Sequence, residues 1–143
     1  MLDLKEYEKL ESISIVITQP LINSYSEASG DHNLIHLNTE FAESTSFGHI
    51  IAHGMLTLSL IDQMMTKTFK NHWSQTGVLK SKFRGAASVN DHVGSIGLLK
   101  SHEEMDDILR LTYDVSVVNM NSKDLLIGGT CTVEVPKLLK PKA

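Results

Sequence analysis

A long apolar segment in the middle of the chain limits most strongly how this sequence can fold. It runs from Gly54 to about Phe69 and predicts one long helix, and the residues from Asn71 to Gly77 that follow it are predicted to form a loop. Apolar residues occupy nearly every side of that helix: Met55, Leu56, Leu58, Leu60, Ile61, Met64, Met65 and Phe69. A helix that is apolar nearly all round must be buried on most of its sides, so the rest of the chain has to wrap around it.

Four strand-like segments follow the helix and could supply that cover. Turn residues separate them at Asn90-Asp91, Glu103–Asp107 and Asn121-Ser122. Two of the segments contain clear polar/apolar alternation, at Thr112–Val118 and Thr130–Val135, as half-buried strands do. The four predicted strands are roughly Gly77–Gly85, Val93–Lys100, Ile108–Met120 and Leu125–Val135.

The residues before the long helix predict one more strand and two shorter helices. Ser12–Thr18 alternates like a strand, Pro20 starts a helix in its first turn, and Gly30 ends that helix. The residues from Gly30 to Asn38 are predicted to form a loop, and Thr39 is predicted to cap a short helix. This order of one strand, helices and four antiparallel strands predicts an α+β fold in which one sheet wraps one helix.

Length and composition exclude several classes of protein. The 143 residues suit a single domain over 1–143, and 41% hydrophobic with 21% charged residues indicates an ordinary globular chain. A net charge of -4, with Arg84 and Arg110 as the two arginines, gives no reason to expect nucleic acid as a partner. Cys131 is the single cysteine, so no intrachain disulfide can form. The sequence has no signal-peptide pattern and no apolar run of the ~20 residues that a membrane span needs. We therefore expect a cytoplasmic protein that does not bind membranes.

A compact polar motif precedes the long helix and suggests chemistry. Asp31, Asn33 and His36 lie close together directly after Gly30. On a regular helix the spacing of Asp31 and His36 would not place them face to face, but on a loop it can. A carboxylate beside an imidazole forms an acid/base pair that can activate water. Gly54, at the start of the long helix, offers free backbone N–H groups that can bind a developing oxyanion.

The stretch from Tyr25 to Leu60 resembles the (R)-specific enoyl-CoA hydratases, the MaoC-like dehydratases. The residues that carry the resemblance are Ser29-Gly30-Asp31-His32-Asn33-Leu34-Ile35-His36, Ala42 and Ile51-Ala52-His53-Gly54-Met55. Leu34 stands where the family usually has proline. The resemblance implies a hot-dog fold, a curled antiparallel sheet around a central helix, and a homodimer formed through the sheets.

The resemblance also implies an activity and residue roles. The activity is interconversion of a trans-2-enoyl thioester of CoA or acyl carrier protein with an (R)-3-hydroxyacyl thioester and water, with no metal or other cofactor. Asp31 and His36 would hold and activate the water, Asn33 would steady Asp31, and the N–H of Gly54 would bind the thioester oxygen. The residues expected to contact substrate are His53, Met55, Asp62, Lys82 and Arg84, with the two cations meeting CoA phosphates.

Other interpretations of the same residues stay open at this point. Asp31 and Asn33 could form an ordinary Asx-turn with His36 on the surface, and His53-Gly54 could be a helix start chosen for close packing. The four-residue spacings His32/His36 and His49/His53 would suit metal ligands on a helix.

Further alternatives concern the charged residues and the activity. Asp62 shares a direction with apolar side chains of the helix, so either that face is exposed or covered by a dimer partner, or the carboxylate lines an acyl pocket. Lys82 and Arg84 could simply form a solvated strand face. The whole domain could be a catalytically idle thioester-binding or interaction domain, or a hot-dog thioesterase that uses Asp62.

Overall fold

A five-stranded antiparallel sheet organises the chain, which is described here by a computed structural model for residues 2–138. The strands are β1 (Ser14–Val16), β2 (Val78–Phe83), β3 (His92–Met105), β4 (Ile108–Asn119) and β5 (Leu125–Pro136). Their order in the sheet is β1-β3-β4-β5-β2, with every neighbouring pair antiparallel. The last three strands are consecutive hairpin partners in the centre, whereas β1 and β2 form the two edges.

Five helices and a short 3-10 helix at Leu4–Tyr7 accompany the sheet. The helices are α1 (Gln19–Ser29), α2 (Leu34–Leu37), α3 (Thr39–Glu43), α4 (Gly54–Phe69) and α5 (Asn71–Thr76). Thr18 caps α1 by accepting a hydrogen bond from the N–H of Leu21, and Gly30 ends it with a φ of 77°, a conformation that glycine adopts without strain. The prediction of a helix from Pro20 to Gly30 is confirmed. No helix within the described residues combines the length and apolarity needed to cross a membrane.

Helix α4 lies in the middle of the hydrophobic core, as its sequence predicts. It packs against the central strands β3 and β4, and Leu60, Ile61 and Met64 are fully buried. Alternate residues of β4 and β5 face it: Leu109, Leu111, Tyr113, Val115, Val117, Cys131, Val133 and Val135. The hydroxyl of Tyr113 donates a 2.8 Å hydrogen bond to the carbonyl oxygen of Tyr7, so its one buried polar atom is satisfied.

The segment after α4 is a helix, and the prediction of a loop from Asn71 to Gly77 is wrong. Lys70, with a φ of 52°, breaks α4, and α5 then starts at Asn71. Trp73 is buried in the core, and its indole Nε1–H donates a 2.8 Å hydrogen bond to a carboxylate oxygen of Asp62 on α4. This contact fixes the second helix against the first, and local propensity does not reveal it.

Strand β3 continues beyond the predicted end at Lys100 and reaches Met105. The residues assigned to a turn at Glu103–Asp107 are largely paired with β4, and the turn itself is confined to Asp106 and Asp107. Arg110 on β4 lies 3.6 Å from a carboxylate oxygen of Glu103 and 2.8 Å from one of Glu134 on β5. Opposite charges on neighbouring strands favour the longer pairing of β3 with β4.

Smaller differences concern element boundaries. β1 is shorter than the predicted Ser12–Thr18, and the side chain that caps α3 belongs to Asn38 instead of Thr39. The predicted loop between Gly30 and Asn38 contains α2. The last of these differences shapes the candidate site.

Cys131 should be unreactive in the folded protein. Burial, and secondarily the negative charge of Asp62, raises the pKa of its thiol to about 12. At about pH 8 the reactive thiolate is then a fraction on the order of one in ten thousand. We expect iodoacetamide to label native Cys131 at least ~100-fold more slowly than free cysteine. Labelling should reach the free-cysteine rate in concentrated urea, and equally fast labelling of the native protein would contradict the buried placement.

Candidate active site

Helix α2 and its cap position the histidine of the polar motif. The side-chain oxygen of Asn33 accepts a 3.1 Å hydrogen bond from the N–H of Ile35 and so caps α2. Leu34 is the first residue of this helix, the position at which proline is favoured. In this chain the start of α2 is stabilised by the Asn33 cap. Proline is favoured at the first position of a helix but is not required there, so Leu34 can occupy it. His36 follows one half-turn later and points inward.

Asp31 is held through both its main chain and its side chain. One carboxylate oxygen accepts a 3.1 Å hydrogen bond from the N–H of Asn33, and the N–H of Asp31 donates to the hydroxyl of Ser29. Its carbonyl oxygen accepts two hydrogen bonds, from the Ser26 hydroxyl at 2.7 Å and from Nε2 of His53 at 3.0 Å. The Asx-turn considered from the sequence is thus present. Asn33 steadies the carboxylate through its backbone N–H, while its side chain caps α2.

His36 is buried, with 8% of its surface exposed, which removes the interpretation of a surface histidine. Its Nδ1 lies 2.7 Å from the carbonyl oxygen of Ile51. Because a carbonyl only accepts, Nδ1 must carry the hydrogen, and Nε2 keeps a free lone pair in the neutral ring. His36 can therefore accept a hydrogen bond from water at Nε2.

His53 joins the two functional groups. It is 2% exposed, its ring stacks on that of His36 with centroids 3.9 Å apart, and the Tyr25 ring meets it edge-on at 4.9 Å. Since Nε2 donates to the Asp31 carbonyl, Nδ1 is the unprotonated nitrogen, and it has no hydrogen-bond partner among the described residues. One buried ring thus fixes the backbone of Asp31 relative to the imidazole of His36.

The three side chains converge. A carboxylate oxygen of Asp31 and one nitrogen each of His36 and His53 all lie within 4.8 Å of one another. Two hydrogen bonds of about 2.8 Å each can span that distance, so a single water can contact both Asp31 and His36. Within residues 2–138 this is also the one group of three such side chains close enough to hold a metal ion, and its donors would suit zinc.

The two histidine spacings considered as metal ligands have other contacts. Nδ1 of His32 lies 3.0 Å from the Ser26 hydroxyl, and because that hydroxyl donates to Asp31, His32 must be the donor here. Nε2 of His49 lies 2.7 Å from the hydroxyl of Ser88. His32 therefore supports the loop that holds Asp31.

Two clefts border the start of α4. Asp31 and His53 line the first, of about 400 Å³, and His36 lines the second, of about 380 Å³. Gly54 lines both clefts, and its N–H has no hydrogen-bond partner within the described part of the chain. A Cβ at Gly54 would come within 2.9 Å of Cε1 of Phe83, so any larger residue here would displace that ring. The first cleft is completed by Tyr25, Ser29 and Met55.

The other residues predicted to contact substrate do not all lie at the same cleft. Met55 lines the first cleft and Arg84 the second, whereas Lys82 and Arg84 border a third cleft, of about 350 Å³, on the outside of the sheet edge. Asp62 lies outside all three clefts and is exposed. Met65 and Phe69, which project in the same direction, are buried, but Asp62 itself is exposed and its carboxylate accepts a hydrogen bond from Trp73. Of the alternatives considered from the sequence, local exposure therefore fits the structure.

Two residues of the site were missed by the sequence reasoning. Ser26 is buried on the same face of α1 as Ile22, four residues earlier, and a small polar residue on an apolar face is the signal that could have identified it. Phe83 stands in a basic strand as an alternating apolar residue, but its place over Gly54 depends on the tertiary fold.

Removal of the His53 side chain should lower the free energy of unfolding. His53→Ala deletes a buried ring and a hydrogen bond, and we expect it to cost about 2–3 kcal/mol of unfolding free energy. His53→Gln keeps a donor near the Asp31 carbonyl and should recover about 1 kcal/mol of that loss. Urea unfolding measures both. His102→Gln, at an exposed position of β3, is the control and should stay within about 0.5 kcal/mol of the parent. Equal losses for the Ala and Gln variants would contradict the hydrogen bond's contribution.

Comparisons with known proteins identify the family of the chain. The family model described as "MaoC like domain" matches residues 5–121. Nodulation protein N of Rhizobium meliloti is 45% identical over 138 residues, covering 90% of this chain and 86% of the relative. A 3-hydroxybutyryl-CoA dehydratase of Methylorubrum extorquens is 46% identical over 109 residues, covering 76% and 59%. The match to 3-hydroxyacyl-thioester dehydratase Z of Mycobacterium tuberculosis is 38% identical but spans 55 residues, 38% of this chain and about a third (36%) of that relative.

Solved structures show the same fold. The (R)-hydratase from A. caviae superposes with a TM-score of 0.73 at 22% identity, covering 90% of this chain and 94% of that one. The MaoC-like dehydratase from Rhodospirillum rubrum superposes with a TM-score of 0.75 at 14% identity, covering 92% of each chain. The predicted hot-dog fold is confirmed, and the chain belongs to the MaoC-like dehydratase family.

Proposed function

We propose that this protein is a lyase that adds water to a trans-2-enoyl thioester, or removes it from an (R)-3-hydroxyacyl thioester. The observation that carries the proposal is that the Asp31 carboxylate and the His36 imidazole lie close enough to share a water. Gly54, whose N–H has no partner within the described residues, lines both of the clefts that these two residues line. Family membership supports the same class of reaction.

The water would be held between the acid/base pair. It donates one hydrogen to the Asp31 carboxylate and the other to Nε2 of His36, which leaves an oxygen lone pair free to attack C3 of the substrate. Asp31 takes one proton of the water as the C3–O bond forms, and this same proton is then passed by way of Nε2 of His36 to C2, while the second water proton stays on the new hydroxyl group. The net change is addition of OH at C3 and H at C2, and both side chains return to their starting protonation states.

The start of α4 would stabilise the charge that develops on the thioester oxygen. As water attacks C3, electron density moves through C2 to the carbonyl and gives an enolate. The N–H of Gly54 is a donor without a partner in the described chain, at the positive end of a 16-residue helix. A donor already in place, with no helix-capping side chain competing for it, stabilises that oxygen without reorganisation.

Lys82 and Arg84 are proposed to contact the phosphates of CoA. Both side chains are exposed and border the outer cleft together with Lys80, while Arg84 also lines the cleft that contains His36. A chain with a net charge of -4 thus concentrates three cations beside the site. Arg84 provides the link between the phosphate end of the substrate and the reacting thioester.

The acid/base pair can be tested directly. Asp31→Asn and His36→Ala should each lower kcat for crotonyl-CoA hydration by at least ~10²-fold, because each removes one of the two groups that act on water. The measurement is loss of enoyl-thioester absorbance, with chiral analysis of the 3-hydroxyacyl product. Asp124→Asn and His102→Ala make the same chemical changes at exposed positions away from the clefts and should keep full activity.

Two results would count against the proposal. A parent protein that binds acyl-CoA without hydrating crotonyl-CoA would be the idle binding domain considered above. Near-full activity in either site variant, with unchanged folding by circular dichroism, would remove that residue from the mechanism.

We also propose a homodimer that pairs through the β2 edge of the sheet. β2 is bonded on one side to β5, and Val78 and Phe83 on it are 50% and 53% exposed. Such an open edge with apolar side chains invites pairing with a second copy. Light scattering at micromolar concentration should give twice the 15.8 kDa of one chain. A mass of one chain under those conditions would rule the homodimer out.

A further inference from the structure

The acid/base pair is divided between the two clefts. Asp31 lines the first and His36 the second, and Gly54 and Phe83 are the residues that line both. A substrate that contacts Asp31, His36 and the Gly54 N–H at once must therefore reach into both clefts beside Gly54 and Phe83. The Phe83 ring is thus a wall that such a substrate has to pass.

The ring lies directly against the main chain of Gly54. From the position of a Cβ at Gly54, the distances to Cε1, Cδ1 and Cζ of Phe83 are 2.9, 3.2 and 3.4 Å. One edge of the ring thus covers the place where any side chain would begin. A thioester carbonyl bonded to the Gly54 N–H brings its C2 atom into the same neighbourhood, because C2 is attached directly to the carbonyl carbon.

The Phe83 ring can move towards solvent, but its contact with Gly54 prevents it from moving inward. It is the last residue of the edge strand β2, pairs with Ile127 of β5, and is 53% exposed. An aromatic side chain that is half in solvent can change rotamer on a short timescale. A flat enoyl group needs little displacement of the ring, whereas a substituent on C2 adds bulk at the point where the ring edge approaches Gly54.

We propose that Phe83 is a specificity-determining residue that selects enoyl thioesters unbranched at C2 and excludes those that carry a C2 methyl group. The inference rests on the proposed hydratase function and on the thioester carbonyl binding at Gly54. It assigns to a side chain of the basic strand a function separate from that of the neighbouring cations. Phe83 is not required for the chemistry, since its ring has no group that transfers a proton.

The test compares crotonyl-CoA with 2-methylcrotonyl-CoA for the parent protein, Phe83→Ala and Phe83→Leu. The parent should prefer crotonyl-CoA. Phe83→Ala should raise the kcat/KM ratio of branched to unbranched substrate by at least ~10-fold, the usual effect of one methyl group in a tight apolar site. Phe83→Leu should give a smaller increase, and it provides the same comparison if the Ala variant folds poorly. Val78→Ala, at an apolar and similarly exposed position of the same strand outside the three clefts, should leave the ratio unchanged within about two-fold.

A binding measurement separates failure of this inference from failure of the proposed function. Calorimetric dissociation constants for butyryl-CoA and 2-methylbutanoyl-CoA require no turnover, and Phe83→Ala should shift their ratio towards the branched ligand by a comparable factor. If crotonyl-CoA is not hydrated at all, the proposed function fails and this binding ratio still decides the role of Phe83. A parent protein that accepts both substrates equally, or ratios unchanged in both Phe83 variants, would overturn the inference.

Discussion

The carbonyl oxygen of Asp31 is the point on which the site depends. It accepts hydrogen bonds from Ser26 on α1 and from His53, the residue that precedes α4. These bonds join the end of one helix to the beginning of another, with the motif loop between them. The carboxylate proposed to act on water belongs to the same residue, so its position follows from the relative placement of two helices, with the short loop contributing only local turns. Each bond contributes about 1 kcal/mol, but together they fix a geometry that the loop alone could not hold.

The buried helix gives that arrangement its rigidity. Because α4 is enclosed by the central strands, its first residues cannot shift without disturbing the core. His53 and Gly54 are therefore fixed at the edge of the core, His53 with its ring buried and Gly54 exposed. The packing that stabilises the fold also fixes the N–H proposed as the oxyanion donor and the ring that stacks on His36. This explains how one helix can contribute to both stability and chemistry.

Sequence reasoning recovered the parts of this structure that are encoded locally. The apolar residues around α4, the Pro20 and Gly30 boundaries of α1, and the alternation in β4 and β5 each predict an element from neighbouring residues alone, and the motif predicts which side chains meet. Sequence reasoning failed where contacts between residues distant in the sequence determine the secondary structure. α5 depends on Trp73 reaching Asp62 eleven residues earlier, and the length of β3 depends on charges on two other strands. The exposure of Asp62 follows from the open side of α4, which helical periodicity cannot distinguish from the covered sides.

Strand β2 shows why the site must be considered together with the edge of the sheet. Its side chains alternate, so Lys80 and Lys82 lie on one face while Leu79, Ser81 and Phe83 lie on the other. Pairing at an edge uses the backbone N–H and C=O groups and leaves both faces available. A second copy hydrogen-bonded to the β2 backbone would thus leave the cations free to bind phosphate. It would also leave the Phe83 ring in the lining of the two clefts. It would, however, hold the strand backbone on both sides, and any adjustment at Phe83 would then have to come from its side chain. Assembly and substrate selection would in this way share one strand without competing for the same atoms.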